Sequence, residues 1–476
     1  MHNNLTADEQ RLLAQTVALY PKAKAALLEL LSIPSVEGEP ENDAPFGRQV
    51  ANALQKAAEI AADLGLQANL TPYYLTVDYG EGSTEDAIGV LSHLDVVPFG
   101  EGWHFSPTGE VFEDKIYGRG SLDDKGPTVA ALFALAAIKQ CDISPTRPIR
   151  LIIGGNEESG SRCILHYLEE QPAPAFGFSP DANFPVIFAE KGIALLSACM
   201  ETVTGRLHEI EAGTVVNAVP GKARAVLSGI PAKTVRAALQ ALFATELAET
   251  KLILNELPDN TLQLTAIGKA AHGSQPEKGI NAAVLLLKAL LALPLCQEEA
   301  DACRCILTLF GKDCGGNNAG ISCRDEISGM LTLNLGTLHL TNGVFTLGLD
   351  LRYPVTADWT AIYDKLNARC RENGIALQVN EHKAPLYVPK EQDPAAALLS
   401  LYREYEPEAE ALAVGGGTYC RAFDNFVAFG PLRKSTPDLM HQADEYITEA
   451  DFHFLLEIYA RAILRLQACK PPENHV

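Results

Sequence analysis

Four short polar clusters in the chain combine histidine with closely spaced carboxylates, which are residue types that bind divalent metal ions. The clusters are His93-Leu94-Asp95, Asp123-Asp124, Glu157-Glu158 and Asp181. Each cluster alone also has an ordinary structural explanation, because a histidine fits a polar loop and either Asp123 or Asp124 fits a helix cap. Gathered in one place, however, several carboxylates repel one another unless a cation lies among them. Imidazole and carboxylate without thiolate suit zinc, manganese or cobalt.

The clusters follow segments whose patterns predict buried strands. Residues 87–91 and 149–153 are short apolar runs, and the polar segments SHLDVVP and GGNEESGS come after them. A helix is predicted behind Pro127, where apolar residues keep helical spacing. Strands that alternate with helices favour an α/β sheet, which collects functional groups at the carboxyl ends of its strands. We therefore expect the clusters to meet at one edge of a sheet, where one carboxylate can bridge two cations.

The middle of the chain has a different pattern. Residues 345–351 and 262–266 alternate apolar and polar side chains, which predicts half-exposed strands of an antiparallel sheet. Residues 278–293 predict a long apolar helix. These elements predict an α+β domain over residues 193–384, with segments 1–192 and 385–476 on either side of it. Further helices are predicted over 5–31, broken in two at Pro21, and over 395–405 and 448–468.

Composition excludes several classes of partner and location. The 476 residues include 38 Lys and Arg against 60 Asp and Glu, a net charge of −22, so we expect no nucleic-acid and no membrane partner. The first residues lack a basic segment before an apolar block, and the apolar stretch 282–295 is too short to span a bilayer. Eleven cysteines without CxxC pairs favour reduced thiols in a cytoplasmic protein. One or two disulfides in an exported protein is the alternative.

The motifs together resemble the M20 family of two-metal peptidases, which includes carboxypeptidase G, aminoacylase and desuccinylase relatives. The resemblance is carried by SHLDVVP, by WHFSPTGEVFEDKIYGRGSLDDKGPTVAAL and by GGNEESG. LLSIPSVEGEP, AAHGSQPEKGINAA and GGGTYCRAFDNFVAFG, followed by MHQADEYI, extend it over nearly the whole chain. The last two segments look most like PepV-type dipeptidases, also described as carnosinase-like or Xaa-His dipeptidases. The implied fold is an α/β catalytic domain with a mixed sheet flanked by helices, interrupted by an α+β lid domain.

The resemblance also implies a metal centre with two divalent ions per chain, zinc before manganese or cobalt. The implied ligands are His93 and Asp181 for the first ion, Glu158 and His441 for the second, and Asp123 as the bridge between them. Asp95 would hold the other imidazole nitrogen of His93 and fix its tautomer. Glu157 would be the general base that takes a proton from a metal-bridged water. A cis peptide bond is implied between Asp123 and Asp124.

The middle domain is implied to contact the substrate. In the family, a histidine at the position of His272 reaches the oxyanion, Asn217 lies nearby, and an arginine at the position of Arg352 binds the terminal carboxylate. Without the resemblance, His272 would be interpreted as a loop histidine and Arg352 as a solvated strand residue. Three consecutive glycines, Gly415, Gly416 and Gly417, permit close backbone approach to a ligand.

The implied function is hydrolysis of dipeptides with a free amino terminus, including β-alanyl dipeptides, by a monomer whose partner is a small peptide. Two alternatives remain open. One is a deacylase or carboxypeptidase of the same family that acts on N-acyl amino acids, and the other is an inactive relative that serves as a binding protein. In the family, aspartate at position 181 is typical of dipeptidases and aminopeptidases, and glutamate of carboxypeptidases and deacylases. Asp181 therefore favours the dipeptidase.

Overall fold

The computed structural model describes residues 5–243, 251–311 and 313–471, and the chain divides into two compact units. The first unit contains the residues up to Ala189, Leu386–Leu412 and the residues from Gly417 onward, and the second contains Glu190–Pro385 and Ala413–Gly416. Sequence analysis put the corresponding divisions after residues 192 and 384, and it did not anticipate the return of 413–416 to the second unit. The predicted domains include residues 1–4, 244–250, 312 and 472–476, which lie outside the described residues. The lid role of the second unit stays a prediction.

The helices of the described chain belong to both units, with α5 to α8 in the second. Their bounds are α1 Ala7–Leu31, α2 Arg48–Asp63, α3 Lys125–Gln140, α4 Arg162–Glu170, α5 Ala232–Phe243, α6 Ala282–Leu291, α7 Gln297–Ile306, α8 Trp359–Glu372, α9 Ala395–Tyr402 and α10 Glu449–Leu466. Helices α9 and α10 lie within the predicted segments 395–405 and 448–468, and α3 includes the helix predicted behind Pro127.

The strands form one large sheet in each unit and several short pairings. Their bounds are β1 Gln67–Leu70, β2 Tyr74–Tyr79, β3 Ile88–His93, β4 Glu110–Phe112, β5 Lys115–Tyr117, β6 Ile149–Gly154, β7 Phe176–Ser179, β8 Ala182–Asn183, β9 Ile187–Glu190, β10 Gly192–Glu201, β11 Leu207–Ala212, β12 Lys222–Ser228, β13 Lys251–Glu256, β14 Thr261–Ile267, β15 Arg324–Asp325, β16 Gly329–Met330, β17 Thr332–Thr341, β18 Val344–Tyr353, β19 Ala376–Lys383, β20 Leu386–Tyr387, β21 Leu412–Val414, β22 Phe426–Ala428, β23 Pro431–Leu432 and β24 Tyr446–Thr448.

The sheet of the first unit is mixed, as the sequence predicts. Its order is β1-β2-β6-β3-β7-β22-β9-β20, with β21 beside β9. Strand β3 runs parallel to β6 and β7, whereas β2 pairs with β6 in the antiparallel sense. Helix α3 contacts β3, β6, α1 and α10, and its residues from Lys125 to Ile138 are all buried. A helix that is apolar all round needs this complete enclosure.

The sheet of the second unit is antiparallel throughout, with the order β13-β14-β12-β11-β17-β18-β10-β19. Alternation predicted β14 and β18 correctly as strands, but only Thr346 among the polar side chains that alternate along β18 is exposed. Asp350 and Arg352 are buried, with 0% and 5% of their surface exposed. Their opposite charges satisfy each other inside the unit, so neither side chain depends on solvent.

Helix α1 continues through Pro21, contrary to the break predicted there. Thr6 and Glu9 form a capping box at its amino terminus, and the apolar face on both sides of Pro21 is buried, including Leu19 and Ala23. Packing of this face against α3 and α10 outweighs the about 3 kcal/mol that an interior proline costs a helix. Burial of the helical turns on both sides of Pro21 therefore decides whether the helix continues, and the proline alone does not.

Helix α6 is shorter than the predicted segment 278–293. The side chain of Asn281 accepts hydrogen bonds from the main-chain N–H groups of Ala283 and Val284, so the helix begins at Ala282. Pro294 disfavours helical geometry at the residue before it, and the helix ends at Leu291. The cap at Asn281 and the proline at 294 thus make the helix shorter than the apolar segment that predicted it.

Among the residues that the structure describes, no helix is both long enough and apolar enough to cross a bilayer. All eleven cysteines are free thiols in the structure.

Replacing Pro21 with alanine tests whether α1 is continuous. Pro21→Ala restores a main-chain donor within the helix and should raise the free energy of unfolding by about 1–3 kcal/mol, after allowing for the lost rigidity of the unfolded chain. Urea unfolding followed by circular dichroism measures the change. Lys22→Ala, at the neighbouring exposed position, is the control and should change stability by less than about 0.5 kcal/mol. No gain from Pro21→Ala would mean that the helix is interrupted at Pro21.

Candidate metal centre

The predicted polar clusters lie where neighbouring strands of the first sheet end. His93 is the last residue of β3 and is paired with Gly154, the last residue of β6. Glu157 and Glu158 follow β6 by a few residues, and Asp181 follows β7. Strands β6, β3 and β7 are adjacent, so their carboxyl ends bring these side chains to one edge of the sheet.

One group of possible metal ligands consists of His93, Glu157 and Asp181. Their ligand atoms all lie within 4.8 Å of one another. The Nε2 atom of His93 is 3.8 Å from Asp181 Oδ2, and the histidine is completely buried. His93 and Asp181 are therefore brought together as predicted, and the carboxylate of Glu157, predicted as the base, lies with them.

The other group consists of Asp123, Glu158 and His441, whose ligand atoms also lie within 4.8 Å of one another. His441 Nε2 is 2.9 Å from Asp123 Oδ2 and 3.2 Å from Glu158 Oε2. The second oxygen of Asp123, Oδ1, is 3.1 Å from Nε2 of His93 in the first group. One carboxylate thus faces an imidazole of each group, which is the arrangement expected of a bridging ligand.

The charges of the site shift the pKa values of its members strongly. Burial raises the pKa of Glu157 well above its ordinary value, and the nearby charge of Asp181 raises it further. Burial together with the charge of Asp123 raises the pKa of Asp181 to about 6. Hydrogen bonds to Asp123 and Glu158 raise the pKa of His441 to about 10. Crowded carboxylates thus favour positive charge at this place, which either protonated imidazoles or divalent cations provide.

The donor atoms fit divalent cations. Within the described residues, His93 Nε2 and Glu158 Oε1 are buried without any hydrogen-bond partner. A buried nitrogen lone pair and a buried carboxylate oxygen without partners are costly unless they bind something. The set of two imidazoles and four carboxylates contains no thiolate, so it suits zinc, manganese or cobalt.

The position of Asp95 differs from the prediction in one respect. The Nδ1 atom of His93 is 3.0 Å from the main-chain carbonyl oxygen of Asp95 and 3.5 Å from its carboxylate. The carboxylate instead accepts the main-chain N–H groups of Glu157, at 2.9 Å, and of Glu158, at 3.0 Å. Because this carboxylate satisfies two backbone donors, it orients the glutamate loop, while the backbone of Asp95 orients the imidazole.

The cis peptide bond predicted between Asp123 and Asp124 is present. Asp124 points away from the ligand groups, since its Oδ2 accepts the main-chain N–H of His93 at 3.1 Å and faces the Thr128 hydroxyl at 3.4 Å. Consecutive aspartates therefore have separate tasks: Asp123 faces the two imidazoles and Asp124 holds the end of β3.

In the second unit, the structure brings His272 close to the chain at Asn217. The N–H of Gly273 donates to the main-chain oxygen of Asn217 at 2.7 Å, and both His272 and Asn217 are exposed. The Nδ1 atom of His272 accepts the N–H of Ser274 at 3.1 Å, which leaves Nε2 as the protonated nitrogen of the neutral ring. Burial and the charge of Arg352 lower the pKa of His272, so the neutral ring is favoured.

Arg352 is more constrained than a solvated strand residue. Its Nε and Nη2 donate to the two carboxylate oxygens of Asp350 at 2.6 and 3.0 Å, and its Nη1 donates to the main-chain oxygen of Gly415 at 3.3 Å. A Cβ atom at Gly415 would lie 3.0 Å from the Cβ of Ser274, so this glycine allows close packing. A Cβ at Gly416 would meet nothing within 4 Å, and Gly417 belongs to the first unit. Of Gly415 and Gly416, only Gly415 therefore has a neighbouring residue so close that a side chain would crowd it.

Sequence reasoning missed the buried pair formed by Arg119 and Glu445. Arg119 Nη1 donates to Glu445 Oε2 at 2.6 Å, and both side chains are almost completely inaccessible. Glu445 also accepts the main-chain N–H of Asp123 at 3.2 Å. The one signal in the sequence was that Glu445 lies four residues after His441. No local pattern distinguishes Glu445 from the other 59 acidic residues.

A mixed α/β sheet with imidazoles and carboxylates at adjacent strand ends defines a hydrolase of the metallopeptidase class. Residues 89–465 match Peptidase family M20/M25/M40, and the chain belongs to this family. A relative from Bacillus subtilis (strain 168), named "Putative dipeptidase YtjP", is 35% identical over 434 residues, which are 89% of this chain and 92% of the relative. A "Putative dipeptidase" of Staphylococcus epidermidis is 33% identical over 451 residues, covering 92% and 95% of the two chains.

Solved structures share the fold at much lower sequence identity. Human carnosine dipeptidase 1 has a TM-score of 0.57 at 14% identity, and the match covers 98% of this chain and 100% of the other. The dipeptidase Dug1p of Saccharomyces cerevisiae has a TM-score of 0.57 at 13% identity, with 96% and 98% of the two chains covered. These likenesses support the fold, and the chemistry rests on the site residues of this chain.

Removing one histidine should separate the two ligand groups. His441→Ala deletes a ligand of the group with Asp123 and Glu158 and leaves His93, Glu157 and Asp181 intact, so we expect the purified variant to retain about one divalent ion where the unmodified protein retains about two. Metal analysis by plasma emission after dialysis measures the stoichiometry. His166→Ala, whose ring stacks on Tyr73, is the control and should keep both ions. Equal loss of both ions in His441→Ala would contradict two distinguishable positions.

Proposed function

We propose that the protein is a metal-dependent dipeptidase that hydrolyses dipeptides with a free amino terminus, including β-alanyl dipeptides. The observation that carries the proposal is the position of Asp123, with Oδ1 3.1 Å from Nε2 of His93 and Oδ2 2.9 Å from Nε2 of His441. Relatives of high coverage are named dipeptidases, and structures of the same fold include carnosine dipeptidase and Dug1p. The names of the sequence relatives favour a dipeptidase, whereas structures of this fold also include an aminopeptidase and a tripeptidase.

The metal positions and the base have separate tasks in this proposal. Divalent ions held by His93, Asp123, Glu158, Asp181 and His441 would lower the pKa of a water molecule and polarise the peptide carbonyl. Glu157 would take the proton of the attacking water and deliver it to the leaving amine. Its carboxylate lies with the ligand atoms of His93 and Asp181, which is where such a proton transfer requires it.

Contacts of the glutamate loop favour Glu157 over Glu158 as the base. The Oε2 of Glu158 is 3.2 Å from Nε2 of His441, so its carboxylate is engaged in the second ligand group. The carboxylate of Asp95 holds both glutamate N–H groups and so fixes the direction of the two side chains. Glu157 and Glu158 lie in a turn, and their carboxylates belong to different ligand groups, which allows one glutamate to bind a cation and the other to move a proton.

The substrate carries an ammonium at one end and a carboxylate at the other, so it requires one acidic and one basic anchor. We propose Asp181 as the acidic anchor, since 12% of its side chain is exposed, whereas Asp95 is almost fully buried and bonded to the glutamate loop. Arg352 is the proposed basic anchor, and His272, with Asn217 beside it, is the proposed hydrogen-bond donor to the oxyanion. The pairing of Arg352 with Asp350 holds the guanidinium in a fixed orientation.

We further propose that the protein is a cytoplasmic monomer with small peptides as its partners. Eleven free thiols support a reducing compartment, and the net charge of −22 opposes association with polyanions. Size-exclusion chromatography with light scattering measures the oligomeric state directly.

Amidation of the proposed base should abolish most turnover while the metals remain. Glu157→Gln keeps the size of the side chain but cannot accept a proton, so kcat for a dipeptide such as Ala-Ala should fall at least ~10²-fold. Quantifying the amino groups released at fixed reaction times gives kcat, and metal analysis of the same sample gives the ion content. Glu169→Gln, at a highly exposed glutamate, should leave kcat unchanged. Near-normal turnover in Glu157→Gln would exclude it as the base.

A substrate panel tests the free amino terminus. Acetylation removes the ammonium that Asp181 would bind, and a buried charge left unpaired costs on the order of several kcal/mol. We therefore expect kcat/KM for Ala-Ala and β-Ala-His to exceed that for N-acetyl-alanine and N-acetyl-Ala-Ala by at least ~10²-fold. Ala-Ala-Ala should also be poor, because its ammonium and carboxylate lie one residue farther apart than those of a dipeptide. A kcat/KM for an N-acetyl amino acid that equals that of the dipeptide would establish the deacylase instead.

A further inference from the structure

The carboxylate of Glu445 holds the main chain that leads into the bridging aspartate. Glu445 is completely buried, and its Oε1 accepts the N–H groups of Gly120 at 3.0 Å, Leu122 at 2.9 Å and Asp123 at 3.2 Å. Charge-assisted hydrogen bonds of this kind are stronger than those between neutral groups. A single oxygen therefore fixes the backbone of the Asp123 loop at three successive points.

The other oxygen of Glu445 is fixed by a buried arginine that also binds the His441 loop. Arg119 Nη1 donates to Glu445 Oε2 at 2.6 Å and to the main-chain oxygen of Gln442 at 3.1 Å. Its Nη2 donates to the main-chain oxygen of Phe99 at 3.3 Å, and the guanidinium lies 5.3 Å from the ring centroid of Trp103. The pair thus joins residue 123 to the residue that follows His441.

The His441 loop needs external support to keep its shape. His441 and Asp444 have φ angles of 63° and 58°, in the left-handed region that residues other than glycine seldom occupy. Such conformations persist where surrounding contacts impose them. Asp444 accepts the main-chain N–H groups of His104 at 2.7 Å and Phe105 at 3.1 Å, and Glu445 supplies the contacts to the Asp123 loop.

We infer that Arg119 and Glu445 are positioning residues that hold Asp123 and His441 at the separation required by the second metal position. Asp123 and His441 are two of the three residues in that ligand group, and both come from the loops that the pair joins. His93, Glu157 and Asp181 of the first group lie outside these loops, and the first metal position shares only the proposed bridge Asp123 with the second. The inference rests on the proposed metal centre, and it predicts that loss of the pair weakens the second position much more than the first.

Substitution by glutamine is informative because of the hydrogen-bond geometry. In Glu445→Gln, an amide oxygen directed at the three N–H groups would place the amide NH₂ against the Arg119 guanidinium, donor facing donor. The reverse orientation would lose the three backbone bonds. Either orientation breaks one of the two links, although side-chain volume is unchanged.

A buried pair elsewhere in the same unit offers a matched control. Glu9 is 2% exposed and its Oε1 is 3.1 Å from Nη2 of the fully buried Arg461, while its Oε2 accepts the N–H of Thr6. Neither Glu9 nor Arg461 belongs to a ligand group. Glu9→Gln therefore reproduces the loss of a buried glutamate–arginine pair without touching the Asp123 or His441 loops.

Isothermal titration calorimetry of Zn²⁺ binding to chelator-stripped protein tests the inference without any peptide. The binding phase that disappears in His441→Ala identifies the second position. Glu445→Gln and Arg119→Met should raise the dissociation constant of this phase ~10–100-fold and that of the other phase by less than about threefold. Arg119→Lys, which keeps the charge, should recover part of the loss, and Glu9→Gln should change neither phase.

Equal weakening of both phases, or of neither, in variants with unchanged circular dichroism would overturn the inference. If Glu445→Gln does not fold, Arg119→Met decides the question by the same criterion. Dipeptide hydrolysis by the unmodified protein is measured separately. Selective loss of the second phase therefore supports the inference even if no dipeptide is cut, and unaltered phases reject it even if dipeptides are cut well.

Discussion

Mutual repulsion among buried carboxylates is the constraint on which the first unit depends. Asp123, Glu157, Glu158 and Asp181 converge at the edge of one sheet, and only His93 and His441 oppose their charge directly within the two groups. Three further carboxylates hold the segments that carry these charges: Asp95 fixes the glutamate loop, Asp124 fixes the end of β3, and Glu445 fixes the loop of the bridging aspartate. Such a site is stable as a cation-binding site and costly as an empty one.

Positions that follow from local patterns were predictable from the sequence. His93 and the pair Glu157-Glu158 come after apolar segments predicted as strands, and parallel strands end at the same edge of a sheet. The roles of these residues and of Asp181 came from the resemblance. The antiparallel sheet of the second unit was predictable from alternation, which is a local pattern, whereas the mixed first sheet and its interruption came from the resemblance. His441 was reached only through the resemblance, since the sequence around it has no metal-binding spacing.

Features that depend on distant partners were not predictable. The hydrogen bond between Glu445 and the N–H of Asp123 joins residues 322 positions apart, and no local sequence pattern predicts it. The continuity of α1 through Pro21 depends on packing against α3 and α10, whose contacts override the local preference of proline. Likewise, Asp350 and Arg352 look like the solvated face of β18 until their ion pair is seen. In each case the decisive energy comes from tertiary structure.

The divided first unit has a consequence for synthesis on the ribosome. Helix α10, Glu449–Leu466, packs on α3 and α1 and is made last, so the apolar faces of those helices stay uncovered while some 300 intervening residues emerge. The second unit is almost contiguous in the chain, from Glu190 to Pro385, and has its own apolar interior. It is therefore able to fold before the unit that begins ahead of it. A nascent chain cannot assemble both ligand groups until His441 has left the exit tunnel, which delays hydrolytic activity until the whole second unit has been synthesised.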